Sequence, residues 1–102
     1  MPTVNHAATY SATLAYLRAV QAAQTIEGDK VVAQMKSTKV DDPLFGPVEV
    51  RKDGRAIHTM FVFEVKKPDE SKARYDDYKL VRTIPAEQAF RPVDQGDCPM
   101  IH

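Results

Sequence analysis

The sequence predicts an α+β fold, with two N-terminal helices packed on a small, mainly antiparallel sheet of three strands. Three observations lead there. Apolar and small residues recur at helical spacing through the first forty positions. An Asp53-Gly54 turn then divides two alternating segments, a short-range hairpin signal. A third alternating segment over 77–84 stops at Pro85. The 102 residues suit a single domain and are too few for two. Residues 1–40 form its helical part, and residues 41–102 its hairpin, third strand and tail.

The first helix is expected over 6–23. Tyr10, Leu14, Leu17 and Val20 or Gln21 form one stripe. Ala8, Ala12, Ala15, Ala19 and Ala22 form a second, and its small side chains let another backbone come close. Both stripes read as buried, or the alanine stripe faces a second chain. Residues 24–29 connect to a second helix over 27–37, with Thr25 as its cap and Val31, Val32 and Met35 turned inward. Glu27 and Asp29 suit the positive end of that helix.

Two prolines and a glycine mark 40–47 as irregular, with Leu44 and Phe45 as plugs against the core. In the hairpin, 48–51 is followed by one long strand over 56–66. Its face of Ile57, Thr59, Phe61, Phe63 and Val65 reads as core, and the face of His58, Met60, Val62, Glu64 and Lys66 as half-covered. The charges over 64–72 balance and read as a solvated edge. One helical turn is expected over 85–90, anchored by Phe90, and then an extended tail.

Fourteen basic and fourteen acidic residues give no net charge. That argues against a nucleic-acid surface and against a basic membrane-surface helix. No apolar run reaches the roughly 20 residues of a membrane span. Residues 1–6 lack the basic and apolar regions of a signal peptide, so the chain as written is expected in the cytoplasm.

The three histidines, His6, His58 and His102, are far apart, and no pair has metal-ligand spacing. His58 reads as a partly exposed sheet residue, and His102 as a fraying end. Ser11, Ser37, Ser71 and Cys98 lie in no nucleophile elbow, and the four glycines form no phosphate loop. Asp41-Asp42 before Pro43 reads as loop polarity rather than an acid pair. Neither a catalytic role nor a cofactor nor a metal is expected. The single cysteine, Cys98, excludes an internal disulfide. It is either an inert thiol or one half of a cross-link to another chain.

Several segments recur in one order: Tyr10-Ser11-Ala12, Tyr16-Leu17-Arg18-Ala19-Val20, 31–35, Asp53-Gly54-Arg55, Val65-Lys66-Lys67-Pro68-Asp69-Glu70-Ser71, Tyr78-Lys79-Leu80-Val81 and Cys98-Pro99. This series resembles the C-terminal part of bacterial ABC-transporter periplasmic solute-binding proteins of the branched-chain amino acid (Leu/Ile/Val-binding) family. The Lys67-Pro68-Asp69-Glu70-Ser71 segment is similar to a subgroup that binds aromatic acids or other small carboxylates. The resemblance implies two lobes closing on a ligand by a hinge motion, a membrane permease as partner, and a periplasmic location. It implies that this chain spans one partial domain, a remnant without ligand binding of its own. It places Asn5 and His6, with Tyr10, toward the ligand, Tyr10 being either a ligand contact or a packing residue at the helix start, and makes Cys98 a residue of possible disulfide use. Apolar surface left without its lobe predicts a homodimer. The alternative reading is a self-standing homodimeric module for protein interaction or small-acid binding.

Overall fold

The computed structural model describes residues 1–101; His102 lies outside the described residues. Helix α1 (Val4–Ala23) starts two residues earlier than expected because Thr3 caps it. The Thr3 backbone N–H donates to Nδ1 of His6 at 3.0 Å, closing a capping box in which histidine takes the place usual for Glu or Gln. The helix ends with Gln24 in the left-handed region, φ 54°, a conformation that suits glycine better.

Helix α2 (Gly28–Ser37) follows with Glu27 as its N-cap. The expected cap Thr25 does something else: its hydroxyl accepts the Glu27 N–H at 3.1 Å and shapes the connection. α1 and α2 pack together, and each supplies one buried apolar side chain, Ala19 and Val31. Part of the alanine stripe is thus covered by α2 and not by a second chain. The other stripe was expected inside, yet Tyr10 and Leu17 are exposed, as are Val32 and Leu44.

Strand β1 (Val40–Asp42) pairs antiparallel with β2 (Gly46–Val50), through Val40 opposite Val48 and Asp42 opposite Gly46. The segment expected to be irregular is therefore a hairpin. Its turn holds because Asp42 Oδ1 accepts the N–H groups of Leu44 and Phe45 at 2.8 and 3.0 Å, and because Gly46 takes φ 72°. Pro43 lies in the turn, where its missing N–H is not needed.

The expected long strand over 56–66 is two strands. β3 (Ala56–Ile57) pairs with β2, and β4 (Met60–Val65) pairs with β5 (Tyr78–Ile84) in a second sheet. The break falls at His58-Thr59. There His58 Nδ1–H donates to the Thr59 carbonyl at 2.8 Å, and the ring lies 4.5 Å from Phe45 and 5.4 Å from Phe90. The loop between β4 and β5 is tied by charge. Lys66 meets Asp76 at 2.6 Å, and Lys79 meets both Glu64 and Glu70 at 3.4 Å. A short helix α3 (Ala86–Ala89) follows Pro85. The tail, expected extended, winds into single 3-10 turns at Val93–Gln95 and Pro99–Ile101.

The architecture is α+β, but in two units. α1, α2 and β1–β3 form one, while the β4–β5 sheet makes only sparse contact with it. Among the described residues only Ala19, Val31 and Asp42 are buried. The accessible surface is 7870 Å², roughly 2,000 Å² more than a folded monomer of this mass presents. The radius of gyration is 16.6 Å, against about 13 Å for a compact chain of this length. The face of β4 that alternation marked as core is open, with Phe63 and Val65 exposed. Alternation identifies an apolar face; it does not supply a layer to cover it.

Candidate functional site

The three residues singled out from the sequence lie together. Asn5, His6 and Tyr10, with Thr9, line an open depression on the N-terminal turns of α1. Helical spacing brings them there, since positions 5, 6, 9 and 10 share one face. Thr9 was not anticipated, although the same spacing points to it. The other side of these turns, Val4 and Ala7, faces an apolar groove shared with Phe45, Phe61, Phe63 and Tyr78. Among the described residues, no second element lines the depression. His6 Nδ1 accepts the Thr3 N–H, so a neutral ring carries its proton on Nε2.

Asp42 fixes α1 against the first sheet. Its side chain accepts the Ser11 hydroxyl at 2.6 Å through Oδ2, while Oδ1 holds the turn. Burial works to raise the Asp42 pKa. The Ser11 hydroxyl, the Leu44 and Phe45 amides and the nearby Arg18 charge outweigh burial, so the carboxyl is held below its ordinary value. Arg18 also reaches the Asp41 carbonyl at 3.5 Å. Thus Asp42, read from the sequence as loop polarity, is a buried clamp, and Ser11 is its partner. Such a clamp has no periodic signature in sequence.

A second polar region was not foreseen. Arg51 donates through Nε and Nη2 to the two oxygens of Asp53, at 3.0 and 2.6 Å, and through Nη1 to the Arg91 carbonyl at 2.8 Å. This fork ties the 51–55 turn to the tail. It also draws the Asp53 pKa down to about 2. Arg51, Asp53, Arg55, Arg91, Asp97 and Cys98 line a polar cleft here, with Cys98 half-buried and unpaired. Among the described residues, no cluster of His, Cys, Asp or Glu is placed to hold a metal ion, and no helix is long and apolar enough to cross a membrane.

Comparison with known proteins follows the same lines. A family profile described as periplasmic binding protein matches residues 1–73. The chain is 48% identical to a periplasmic binding protein from Burkholderia mallei, with a TM-score of 0.87, covering 98% of this chain and 26% of that one. It is 41% identical to a branched chain amino acid ABC transporter periplasmic ligand-binding protein from Burkholderia xenovorans LB400, with a TM-score of 0.90, covering 98% and 27%. No curated protein matches. The chain spans about a quarter of the length of these two solved structures, and all these matches are to binding proteins rather than enzymes. On this identity and coverage, the chain belongs to the periplasmic binding protein family.

Proposed function

We propose that the chain contributes one partial domain to the solute-binding component of an ABC importer. The solute is an amino acid or a small, aromatic carboxylate, and the further partner is a membrane permease. The site of action is the periplasm. One observation carries the finer reading, that residues 1–102 do not bind a solute alone. The depression at Asn5, His6, Thr9 and Tyr10 has a single wall, made by one helix. Small-ligand sites enclose most of the ligand, about 70–90% of its surface. One helical face leaves most of a leucine or a benzoate in water. In this reading Asn5, His6 and Tyr10 are one wall of a site whose facing wall comes from additional polypeptide.

The test is calorimetric titration of the 102-residue chain with leucine, isoleucine, valine, benzoate and 4-hydroxybenzoate. No heat of binding is expected at millimolar ligand. A micromolar Kd, abolished by Tyr10→Ala, would overturn the reading.

A second reading is a self-standing homodimeric module, with Cys98 available for a cross-link between chains. The uncovered and charge-free face of the β4–β5 sheet favours it.

A further inference from the structure

We infer that the Arg74–Tyr75 pair, in the loop between β4 and β5, seats in a socket of the polypeptide that completes this chain. The inference rests on the proposal that the chain is one partial domain of a longer binding protein, and it assigns that domain a contact. Residues 73–76 form a tight turn, closed by the Asp76 N–H donating to the Ala73 carbonyl at 3.1 Å. Tyr75 takes φ 68° there, and Arg74 does not share a positive φ. A positive φ at the third residue alone marks a type II turn, whose third position suits Gly or Asn. A bulky aromatic residue in that conformation is strained. The Tyr75 side chain is half-exposed, and the Arg74 guanidinium lies 4.7 Å from the ring centroid.

Three arguments choose the occupant. The first is that the turn is held from within the loop. Asp76 accepts Lys66 Nζ at 2.6 Å and the Lys72 N–H at 3.1 Å. Glu70 accepts the Lys67 N–H at 2.8 Å, and Lys79 meets both Glu70 and Glu64 at 3.4 Å. These ties lie within 64–79 and do not depend on what covers the rest of the chain. They fix the strained conformation in advance, so a partner meets a preformed pair and little ordering entropy is lost on contact. The second is shape. The pair stands at the tip of a turn and lines neither the Asn5–Tyr10 depression nor the Arg51–Cys98 cleft. Small solutes take concave sites. Tyr and Arg are instead the side chains that most often anchor one polypeptide surface in a pocket of another. The guanidinium N–H groups call for a carboxylate or carbonyl at the rim of that pocket. The third is coverage. The two related structures match 98% of this chain, which is 26% and 27% of their own length. With so little of the chain left out, the turn lies within the shared backbone. The remaining three-quarters of such a protein is where the socket belongs.

The test reads one substitution in two hosts. Tyr75→Gly is made in the 102-residue chain, and in a hybrid where this chain replaces the matching quarter of the Burkholderia mallei relative. Thermal midpoints are followed by far-UV circular dichroism at one fixed protein concentration. In the chain alone glycine relieves the turn, so the midpoint stays or rises. In the hybrid the anchor is lost, and the midpoint falls by about 2 °C or more. Nitration with tetranitromethane and peptide mapping give an independent readout. Tyr75 should react in the chain alone and be protected in the hybrid. A hybrid midpoint left unchanged or raised by Tyr75→Gly overturns the inference, as does equal nitration of Tyr75 in both hosts. If the hybrid does not fold, a photoreactive benzoylphenylalanine at position 75 serves instead, in this chain co-expressed with the remaining three-quarters of the relative. Its adduct should map to that polypeptide; an adduct on a second copy of this chain, or none, overturns the inference. No readout here involves a solute, so failure leaves the single-wall reading of Asn5, His6 and Tyr10 standing. Solute binding by the chain alone would overturn that reading without altering the two midpoint shifts.

Discussion

Replacing Asp42 by alanine is the sharpest test of how α1 is held. The carboxylate is 5% exposed and accepts three hydrogen bonds, from Ser11 at 2.6 Å and from the Leu44 and Phe45 amides at 2.8 and 3.0 Å. A hydrogen bond to a charged group contributes about 1.5–3 kcal/mol. The three do not add in full, because Leu44 is half-exposed and water reaches its amide once the carboxylate is gone. We expect a loss of about 3 kcal/mol for Asp42→Ala. Asp42→Asn keeps an oxygen for the two amides and an amide nitrogen for Ser11, so about 1 kcal/mol is lost. Ser11→Ala should cost a similar amount. The measurement is urea unfolding followed by far-UV circular dichroism, at one fixed protein concentration because association would shift the midpoint. If Asp42→Ala lies within about 0.5 kcal/mol of the parent chain, the range of an ordinary surface substitution, the clamp is not holding α1.

Further outcomes follow from the same structure. Asp42 and Asp53 both have folded pKa values below their unfolded ones, the latter about 2. At acid pH the unfolded chain therefore binds more protons, and stability rises with pH through that range. The thermal midpoint should be flat from pH 7 to 5 and fall between about pH 4 and 2; a flat profile to pH 2 would contradict the assignment. Gln24→Gly should stabilise the chain by about 0.5–1 kcal/mol, since Gln24 sits at φ 54° where glycine is unstrained. A lowered urea midpoint would show that the Gln24 side chain matters more than its backbone. Phe45→Ala removes one side of the stack on His58 and should cost about 2 kcal/mol, less than a core phenylalanine because Phe45 is half-buried. Amide exchange in β4 should quicken more than in α2, and equal acceleration would argue against a junction at His58.

What the sequence made legible was local. The helical spacing of Tyr10, Leu14 and Leu17 located α1 to within two residues, and alternation located β5 to within one. Asn5, His6 and Tyr10 were singled out by the family resemblance and not by periodicity; the helical spacing of the observed α1 explains why they share one face. The β1–β2 hairpin was hidden because Pro43 and Gly46 read as breakers, while the group that builds the turn is the Asp42 side chain. The break at His58-Thr59 was hidden because alternation runs through it without interruption. Only the pairing of β3 with β2 and of β4 with β5 shows the change of sheet. The fork from Arg51 to Arg91 joins residues forty positions apart, beyond any pattern read within a window. Burial was the largest departure, because periodicity specifies which side chains share a face and says nothing of what lies opposite.

That departure bears on function. Caps, turns and strand pairing are short-range, and they hold this chain close to the arrangement seen in proteins about four times as long, at TM-scores of 0.87 and 0.90. Enclosure is different in kind. A solute site needs walls from several directions, and affinity arises as water is displaced from most of the ligand. Here the elements keep their positions while Phe63, Val65 and Leu80 face solvent, and the Asn5, His6 and Tyr10 wall stands alone. Similarity of backbone therefore shows the family, while the depression at Asn5, His6, Thr9 and Tyr10 has a single wall among the described residues. The apolar surface that remains open is better suited to polypeptide than to a solute: a flat sheet face can be covered by another sheet at about 10 Å spacing. A ligand of ten or so atoms could cover only a small part of it.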